Sequence, residues 1–248
     1  MSEPFDLSGK TILVTGASSG LGRQICITAS RMGANIIATG RNKDKLAETA
    51  GMSIKEKVEM IICDLNDSEN MLDMVKKLPG LNGVVYSAGI VKFMPLKFAN
   101  KKIINDVFQI NCIAPIILIS ELLKKRLIFN NSSIVFINSI MSKIAVLGNG
   151  IYSASKSALS GFAKVLALEL SSQKIRVNSI SPGMVRTPMA DQTAKILSED
   201  AIKEDEKKYP LGYGEPEDIS NTVIFLLSDA SKWMTGSDVI IDGGYLIQ

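Results

Sequence analysis

The sequence contains no histidine among its 248 residues. This absence excludes nucleophilic mechanisms in which histidine acts as the base, and every metal site with imidazole ligands. Only three cysteines are present, Cys26, Cys63 and Cys112. Their wide spacing favours neither a disulfide framework nor a thiolate metal site. We expect them to be small buried side chains in a reducing compartment, and we expect no metal.

An excess of charge of one sign is also lacking. Lysine and arginine total 28 and aspartate and glutamate total 25, which gives a net charge of +3. This balance predicts neither a nucleic-acid partner nor an anionic membrane surface. The first residues show no basic segment followed by an apolar one, and the apolar runs are shorter than the ~20 residues of a membrane span. We therefore expect a soluble cytoplasmic protein without membrane insertion.

Short apolar segments alternate with segments long enough for helices. Most of the apolar segments lack a strict polar alternation, which is typical of strands covered on both faces. The order predicts right-handed crossovers, and therefore an α/β fold doubly wound around a seven-stranded parallel sheet. The predicted strands are 11–16, 34–40, 58–64, 83–89, 133–139, 176–183 and 238–244. The predicted helices are 23–32, 68–77, 103–125, 153–171 and 216–227.

No linker or internal repeat divides the chain, so we predict one domain over residues 1–248. The segment 188–209 differs from the rest because it is polar, charged and only weakly periodic. It lies between the sixth strand and the last helix. We expect it to be a mobile cap or substrate loop.

A glycine-rich stretch, TGASSGLG at 15–22, follows the first strand directly. Glycines at a strand-to-helix junction let the backbone approach a pyrophosphate, and the helix N-terminus supplies N–H donors. The Gly-x3-Gly-x-Gly spacing differs from the commoner Gly-x-Gly-x2-Gly fingerprint. Its place in an alternating chain favours a dinucleotide site over a plain turn. The expected cofactor-binding residues of this loop are Gly16, Ser18, Ser19, Gly20, Leu21 and Gly22.

The second strand ends without the acidic residue that usually binds the ribose 2′-hydroxyl of NAD. Arg41 stands there instead, and its guanidinium suits a 2′-phosphate, with help from Asn42 and Lys43. This favours NADP(H) over NAD(H), although a solvated strand end is the alternative. Asp64, followed by Leu65, ends the third strand and is placed to accept a hydrogen bond from an adenine amino group. A plain surface carboxylate is the alternative there.

The stretch IYSASKSAL at 151–159 combines Tyr152 with Lys156. Positions four apart share one helix face, and a nearby ammonium lowers the pKa of a phenol from its usual value near 10. The small residues between them leave room for a ligand. Ser139 ends the fifth strand, and doubly wound sheets bind ligands at the carboxyl ends of their strands. Together these residues predict a proton-transfer centre.

With these motifs, nearly the whole chain resembles the short-chain dehydrogenase/reductase family in its single-domain branch. Further matches are SAG at 87–89, Asn111, SPG at 181–183 followed by Thr187, and TGSDVIIDGG at 235–244. Overall the chain is similar to the 3-oxoacyl-[acyl-carrier-protein] reductases. The resemblance implies a three-layer Rossmann fold and an NADP(H)-dependent interconversion of a ketone and a secondary alcohol by hydride transfer.

The resemblance also implies the roles of individual residues. Tyr152 would be the general acid in reduction and the base in oxidation, while Ser139 would polarise the carbonyl. Lys156 would lower the pKa of Tyr152 and bind the nicotinamide ribose, and Asn111 would shape its helix and hold a water that links Lys156 to solvent. The remaining residues expected at the cofactor are Ser87, Ala88, Gly89, Pro182, Gly183, Val185 and Thr187.

The chain departs from the family pattern in two motifs. Tyr86 and Ser87 replace the first two residues of the usual Asn-Asn-Ala-Gly, and Ser19 stands where many NADP-dependent members carry a basic residue. The NADP(H) prediction therefore depends mainly on Arg41. Three functions stay open: an acyl-carrier substrate, a sugar or other small alcohol or ketone in cell-surface polysaccharide synthesis, and a non-catalytic NADP(H)-binding regulator.

Two surfaces suggest macromolecular partners. In the family the helix of Tyr152 packs between subunits, which predicts a homotetramer or homodimer, and core packing is the alternative. Its small residues Ala154, Ser157, Ala158 and Gly161 suit close helix contact. The cations Lys124, Lys125 and Arg126 could offer a contact to an acidic carrier protein, although a solvated helix end is the favoured interpretation.

Overall fold

The computed structural model describes residues 4–194 and 198–247. Within them one sheet has the strand order β3-β2-β1-β4-β5-β6-β7, with every neighbouring pair parallel. The predicted seven-stranded parallel sheet is thus confirmed. Its strands are β1 Thr11–Thr15, β2 Asn35–Gly40, β3 Val58–Ile62, β4 Leu81–Tyr86, β5 Ile128–Ile137, β6 Arg176–Pro182 and β7 Asp238–Ile241.

The helices flank the sheet on both faces. In the described part of the chain they are α1 Gly20–Arg31, α2 Lys43–Met52, α3 Ser68–Lys77, α4 Lys101–Phe108, α5 Ala114–Lys124, α6 Gly150–Glu169, α7 Pro188–Ala194, α8 Glu199–Glu206 and α9 Pro216–Leu227. The pattern did not predict α2, because its polar sequence buries only Leu46, Thr49 and Ala50. The Asn42 side chain begins this helix by accepting a hydrogen bond from the Lys45 backbone N–H at 2.9 Å.

Alternate residues of a strand face opposite hydrophobic cores. In β4, Val84 packs into the core that also holds Leu118 of α5 and Leu159 of α6. Its neighbour Val85 packs into the core that holds Ile25 of α1 and Val223 of α9. Because both faces are covered, both sets of side chains must be apolar, which explains why the strand sequences do not alternate.

The long helix predicted at 103–125 is two helices joined by a π-helical turn. This turn, Gln109–Ile113, separates α4 from α5. By length and composition the whole stretch Lys101–Lys124 is apolar enough to cross a membrane, although its uninterrupted apolar runs are as short as expected. The same composition is typical of a core helix, and here Leu118 and Leu122 are fully buried.

The expected cap segment contains two short helices. α7 and α8 lie within 188–209, and residues 195–197 lie outside the described part of the chain. The segment is attached to the rest of the protein, because Arg186 pairs with Glu206 and the Tyr213 hydroxyl donates to Asp205 at 2.9 Å. Its proposed mobility remains a prediction.

A buried arginine closes the end of the last long helix. Arg176 begins β6, and its guanidinium donates to the carbonyl oxygens of Leu226 and Ser228 at 2.8 and 3.1 Å and to the Ser231 hydroxyl at 2.7 Å. These acceptors lie at the carboxyl end of α9 and just beyond it. A cation there satisfies carbonyls that have no partner within the helix.

We therefore expect Arg176→Met to lower the free energy of unfolding by roughly 1–3 kcal/mol, because the substitution removes three buried hydrogen bonds from a charged donor. Urea denaturation of both proteins measures the difference. Arg31→Met is the matched control, since Arg31 is exposed in the last turn of α1. Equal stabilities of the two variants would contradict the assigned role of Arg176.

Candidate active site

A cleft of about 1960 Å³ contains the carboxyl ends of the central strands. Almost every residue predicted to bind a cofactor or act in catalysis lines this cleft, and the exceptions are Asn111 and Lys43. The lining includes Gly16, Ser18, Ser19, Gly20, Leu21, Gly22, Arg41, Asn42, Asp64, Leu65, Ser87, Ala88, Gly89, Ser139, Tyr152, Lys156, Pro182, Gly183, Val185 and Thr187. Residues distant in sequence thus lie together because the parallel strands end at one edge.

The glycine loop packs directly against the segment after β4. Gly16 has a positive φ of 67°, and a Cβ there would lie 2.9 Å from the Ala88 backbone. A Cβ on Gly22 would lie 2.3 Å from the Gly16 carbonyl oxygen. The buried Thr15 hydroxyl joins the two segments by accepting from the backbone N–H groups of Ser87 and Ala88 at 3.1 and 3.3 Å. The result is a side-chain-free cradle at the start of α1, which fits a pyrophosphate.

The end of the cleft near β2 carries the predicted cationic group. The Arg41 guanidinium lies 4.0 Å from the Asp64 carboxylate, and both side chains are exposed. Asn42 lines the cleft, but its side-chain oxygen is engaged at the start of α2. Lys45 lines the cleft in the place expected for Lys43. It lies four residues after Arg41, on the first turn of a helix that sequence reasoning missed.

Tyr152 and Lys156 occupy the same side of α6, as their spacing predicts. The Lys156 ammonium lies 5.8 Å from the centre of the Tyr152 ring and donates to the Ile137 carbonyl oxygen at 2.8 Å. Ser139 follows β5 directly, and its hydroxyl accepts from the Met141 backbone N–H at 3.2 Å. The end of β5 therefore orients both Lys156 and Ser139 towards the cleft.

Burial controls the titration of this pair. Burial raises the pKa of Tyr152 to about 12, and hydrogen bonding with the Ser139 side chain opposes the rise. Burial also lowers the pKa of Lys156 to about 8. The expected lowering of the Tyr152 pKa by Lys156 is therefore not found among the chain's own groups. The cost of removing either charge from water outweighs their attraction.

Asn111 lies behind the cleft wall and is completely buried. Its side chain accepts from the backbone N–H of Ile90 and donates to the carbonyl of the same residue, both at 2.9 Å. It also donates to the Ser155 hydroxyl at 3.1 Å. A Cβ on Gly89 would lie 3.2 Å from the Asn111 oxygen and 3.7 Å from the Lys156 nitrogen, so this glycine lets the two side chains come together.

Sequence reasoning missed part of the cleft wall. Tyr209 and Tyr245 lie 36 positions apart, yet their rings stack at 4.6 Å between centroids. No pattern in the local sequence predicts that contact. Asn149 could have been found, because it precedes Tyr152 by three residues and so lies near it on a helical surface. Other lining residues outside the predicted set are Phe93, Met141, Val146, Met184 and Met189.

Comparison with known proteins gives full-length matches. A family model described as enoyl-(acyl carrier protein) reductase matches residues 16–246. The 3-oxoacyl-[acyl-carrier-protein] reductase FabG of Rickettsia felis is 35% identical over 98% of this chain and 99% of its own length. The L-xylulose reductase of Caenorhabditis elegans is 33% identical over 99% of each chain.

A solved structure shows the same arrangement of the chain. It is a proposed NAD(P)-dependent gluconate 5-dehydrogenase from Beutenbergia cavernae with NADP bound at low occupancy. It is 30% identical and superposes with a TM-score of 0.90 over 99% of this chain and 100% of the other. The similarity in sequence and in structure thus includes both the cleft and the cap.

The cradle geometry predicts the effect of one added methyl group. We expect Gly22→Ala to lower the free energy of unfolding by roughly 1–3 kcal/mol, since the new Cβ collides with backbone that cannot move independently. Thermal and urea denaturation measure the loss. Gly51→Ala is the matched control, because a Cβ on this α2 glycine meets nothing within 4 Å. It should gain up to about 1 kcal/mol, and a similar loss in both variants would contradict the close packing of the loop.

Proposed function

The chain belongs to the short-chain dehydrogenase/reductase family of NAD(P)-dependent oxidoreductases, and on that basis we propose that it reduces a ketone to a secondary alcohol, or the reverse, with NADP(H). A 3-oxoacyl thioester carried by an acyl carrier protein is the first candidate substrate. The observation that carries the proposal is the meeting of Ser139, Tyr152 and Lys156 in the cleft that the glycine loop borders.

The chain's own groups match the needs of carbonyl reduction. When bound, the nicotinamide would supply the hydride, held by the cradle and by the residues around Gly183. Negative charge then grows on the carbonyl oxygen, where the Ser139 and Tyr152 hydroxyls act as donors and Tyr152 releases a proton. Because burial keeps Tyr152 protonated at neutral pH, it is ready to act as an acid. The Lys156 ammonium stabilises the phenolate that forms.

A second candidate substrate class is a sugar or another small alcohol or ketone. Its support is the similarity to the L-xylulose reductase and to the proposed gluconate 5-dehydrogenase, which is close to that of the FabG relatives. The cations considered for a carrier protein give the acyl class no local support. Lys124, Lys125 and Arg126 are exposed between α5 and β5, at the amino edge of the sheet. They therefore do not border the cleft of their own chain.

We further propose a cytoplasmic homotetramer or homodimer. The small residues Ala154, Ser157, Ala158 and Gly161 are all exposed on α6. Val165 and Leu168 continue the exposed surface of that helix with 56% and 78% of their areas accessible. By contrast, Leu159 and Leu166 of the same helix are buried, so the two kinds of surface on α6 are distinct.

The substrate class is tested by following NADPH oxidation with acetoacetyl thioesters and with a panel of ketoses and simple ketones. We expect turnover of the thioester, and at least about a 100-fold lower rate in Tyr152→Phe, because general acid catalysis is lost. The variant should bind NADPH normally. Turnover of ketoses alone selects the second candidate. NADPH binding without turnover of any carbonyl would overturn the enzymatic proposal and support a regulator.

Cofactor preference is tested by the affinities of NADPH and NADH from their fluorescence. We expect NADPH to bind more tightly and Arg41→Ala to lose roughly 10- to 100-fold of that affinity, since a charge-assisted pair with the 2′-phosphate is removed. NADH affinity should change little. Lys43→Ala is the matched control, because Lys43 is a neighbouring cation that does not line the cleft. Equal affinities for both cofactors in the unaltered protein would refute the preference.

A further inference from the structure

Tyr86 stands where the family pattern has asparagine, and it is buried away from the cleft. Only 1% of its surface is accessible, and it packs in the core between the sheet and α5. Its hydroxyl donates to the backbone carbonyl of Ile110 at 2.7 Å. Burial raises the pKa of Tyr86 well above its usual value, so the hydroxyl stays protonated as a donor. It therefore joins the end of β4 to the π-helical turn between α4 and α5.

The Ile110 carbonyl needs a side-chain donor because of its place in the turn. In an α-helix it would accept from the Ala114 backbone N–H, but that group donates to Gln109 instead. The next residue along, at position 115, is a proline and has no N–H. A buried carbonyl without these partners is costly unless another donor reaches it. The Tyr86 hydroxyl is that donor.

The same turn carries Asn111, the residue after Ile110. The Asn111 amide holds the Ile90 backbone on one side and the Ser155 hydroxyl on the other. Ser155 in turn donates to the Tyr152 carbonyl oxygen at 2.7 Å. A continuous set of hydrogen bonds thus connects the π-helical turn to the backbone of Tyr152 and to the segment beside Lys156.

We propose that Tyr86 is a positioning residue for the reaction: its hydroxyl fixes the π-helical turn in the register that directs Asn111 at Ile90 and Ser155. It contacts neither substrate nor cofactor. The kinetic consequences of this inference rest on the proposed carbonyl reduction. Its structural consequences rest on the hydrogen bonds alone. Asparagine at this position is several bonds shorter and does not replace the tyrosine contact.

The first test is Tyr86→Phe, which removes one oxygen and keeps the ring. We expect kcat for the carbonyl substrate to fall about 10- to 100-fold, because small misplacements of catalytic groups lower rates by about this much. KM for NADPH should be unchanged. Amide hydrogen exchange across 109–113 should accelerate. Tyr86→Asn, which removes the ring as well and so lowers stability further, should lose at least as much activity. Unchanged kcat in the assayed variant overturns the proposal.

A matched control separates positioning from loss of stability. Ser133→Ala removes another buried hydroxyl that donates to a helix carbonyl, that of Leu226 at 2.6 Å, but this carbonyl belongs to α9, which packs in the other core. It should lower thermal stability without lowering kcat or accelerating exchange at 109–113. If Ser133→Ala reduces kcat as much as Tyr86→Phe, a stability effect explains both and the proposal is rejected.

A double-mutant cycle tests whether Tyr86 acts through Asn111. In an Asn111→Ala background, Tyr86→Phe should cause little further loss, because the group that it positions is already gone. A full additional loss would overturn this route.

The hydrogen-exchange comparison distinguishes the two proposals. Faster exchange in Tyr86→Phe without carbonyl turnover in the unaltered protein would reject only the enzymatic function, and unchanged exchange would reject the positioning role.

Discussion

The close approach of the Gly16 and Ala88 backbones is the constraint on which the other features depend. It brings the loop after β1 against the segment after β4, at the point where the sheet order turns from β1 towards β2 on one side and β4 on the other. Any side chain at Gly16 would separate the two segments. The Thr15 hydroxyl secures the contact from below by accepting from two backbone N–H groups. The same two packed backbone segments therefore support both the cradle and the reaction centre.

Backbone contacts connect these two segments to the catalytic groups. Gly89 follows the contact segment and leaves space in which Asn111 and Lys156 approach each other. Lys156 is held by the end of β5 through the Ile137 carbonyl, and Ser139 follows the same strand two residues later. Three strand ends thus position the proton-transfer groups. A shift of one strand would disturb all of them together.

The electrostatics of the site follow from its burial. Burial shifts the pKa values of Tyr152 and Lys156 to about 12 and about 8, and both shifts favour the neutral form. A phenol in that state is protonated at neutral pH and can act as an acid. Lys156 remains mostly charged below about pH 8 and loses its charge above it. The rate of reduction should therefore depend on the lysine as pH rises, before the tyrosine itself ionises.

Local pattern was sufficient for the sheet, the glycine loop and the Tyr152–Lys156 pair. These features depend on residues that are near each other in sequence: strand periodicity, glycines at a junction and a four-residue helical spacing. They can therefore be recognised without knowledge of the fold. The pattern failed at α2, which has little apolar periodicity, and at the π-helical turn, which looks like ordinary helix in sequence. The cap is also more helical than its composition indicated.

What the sequence by itself determined is the chemistry available: a histidine-free set of hydroxyls, a phenol, an ammonium and a glycine-rich loop on a parallel sheet. Tertiary structure alone decided how those groups are used. It buried Tyr152 and Lys156 enough to move both pKa values, placed Asn111 behind the cleft wall and brought the Tyr86 hydroxyl to the Ile110 carbonyl. Burial and contacts between distant residues depend on how whole elements pack, and no local pattern encodes them.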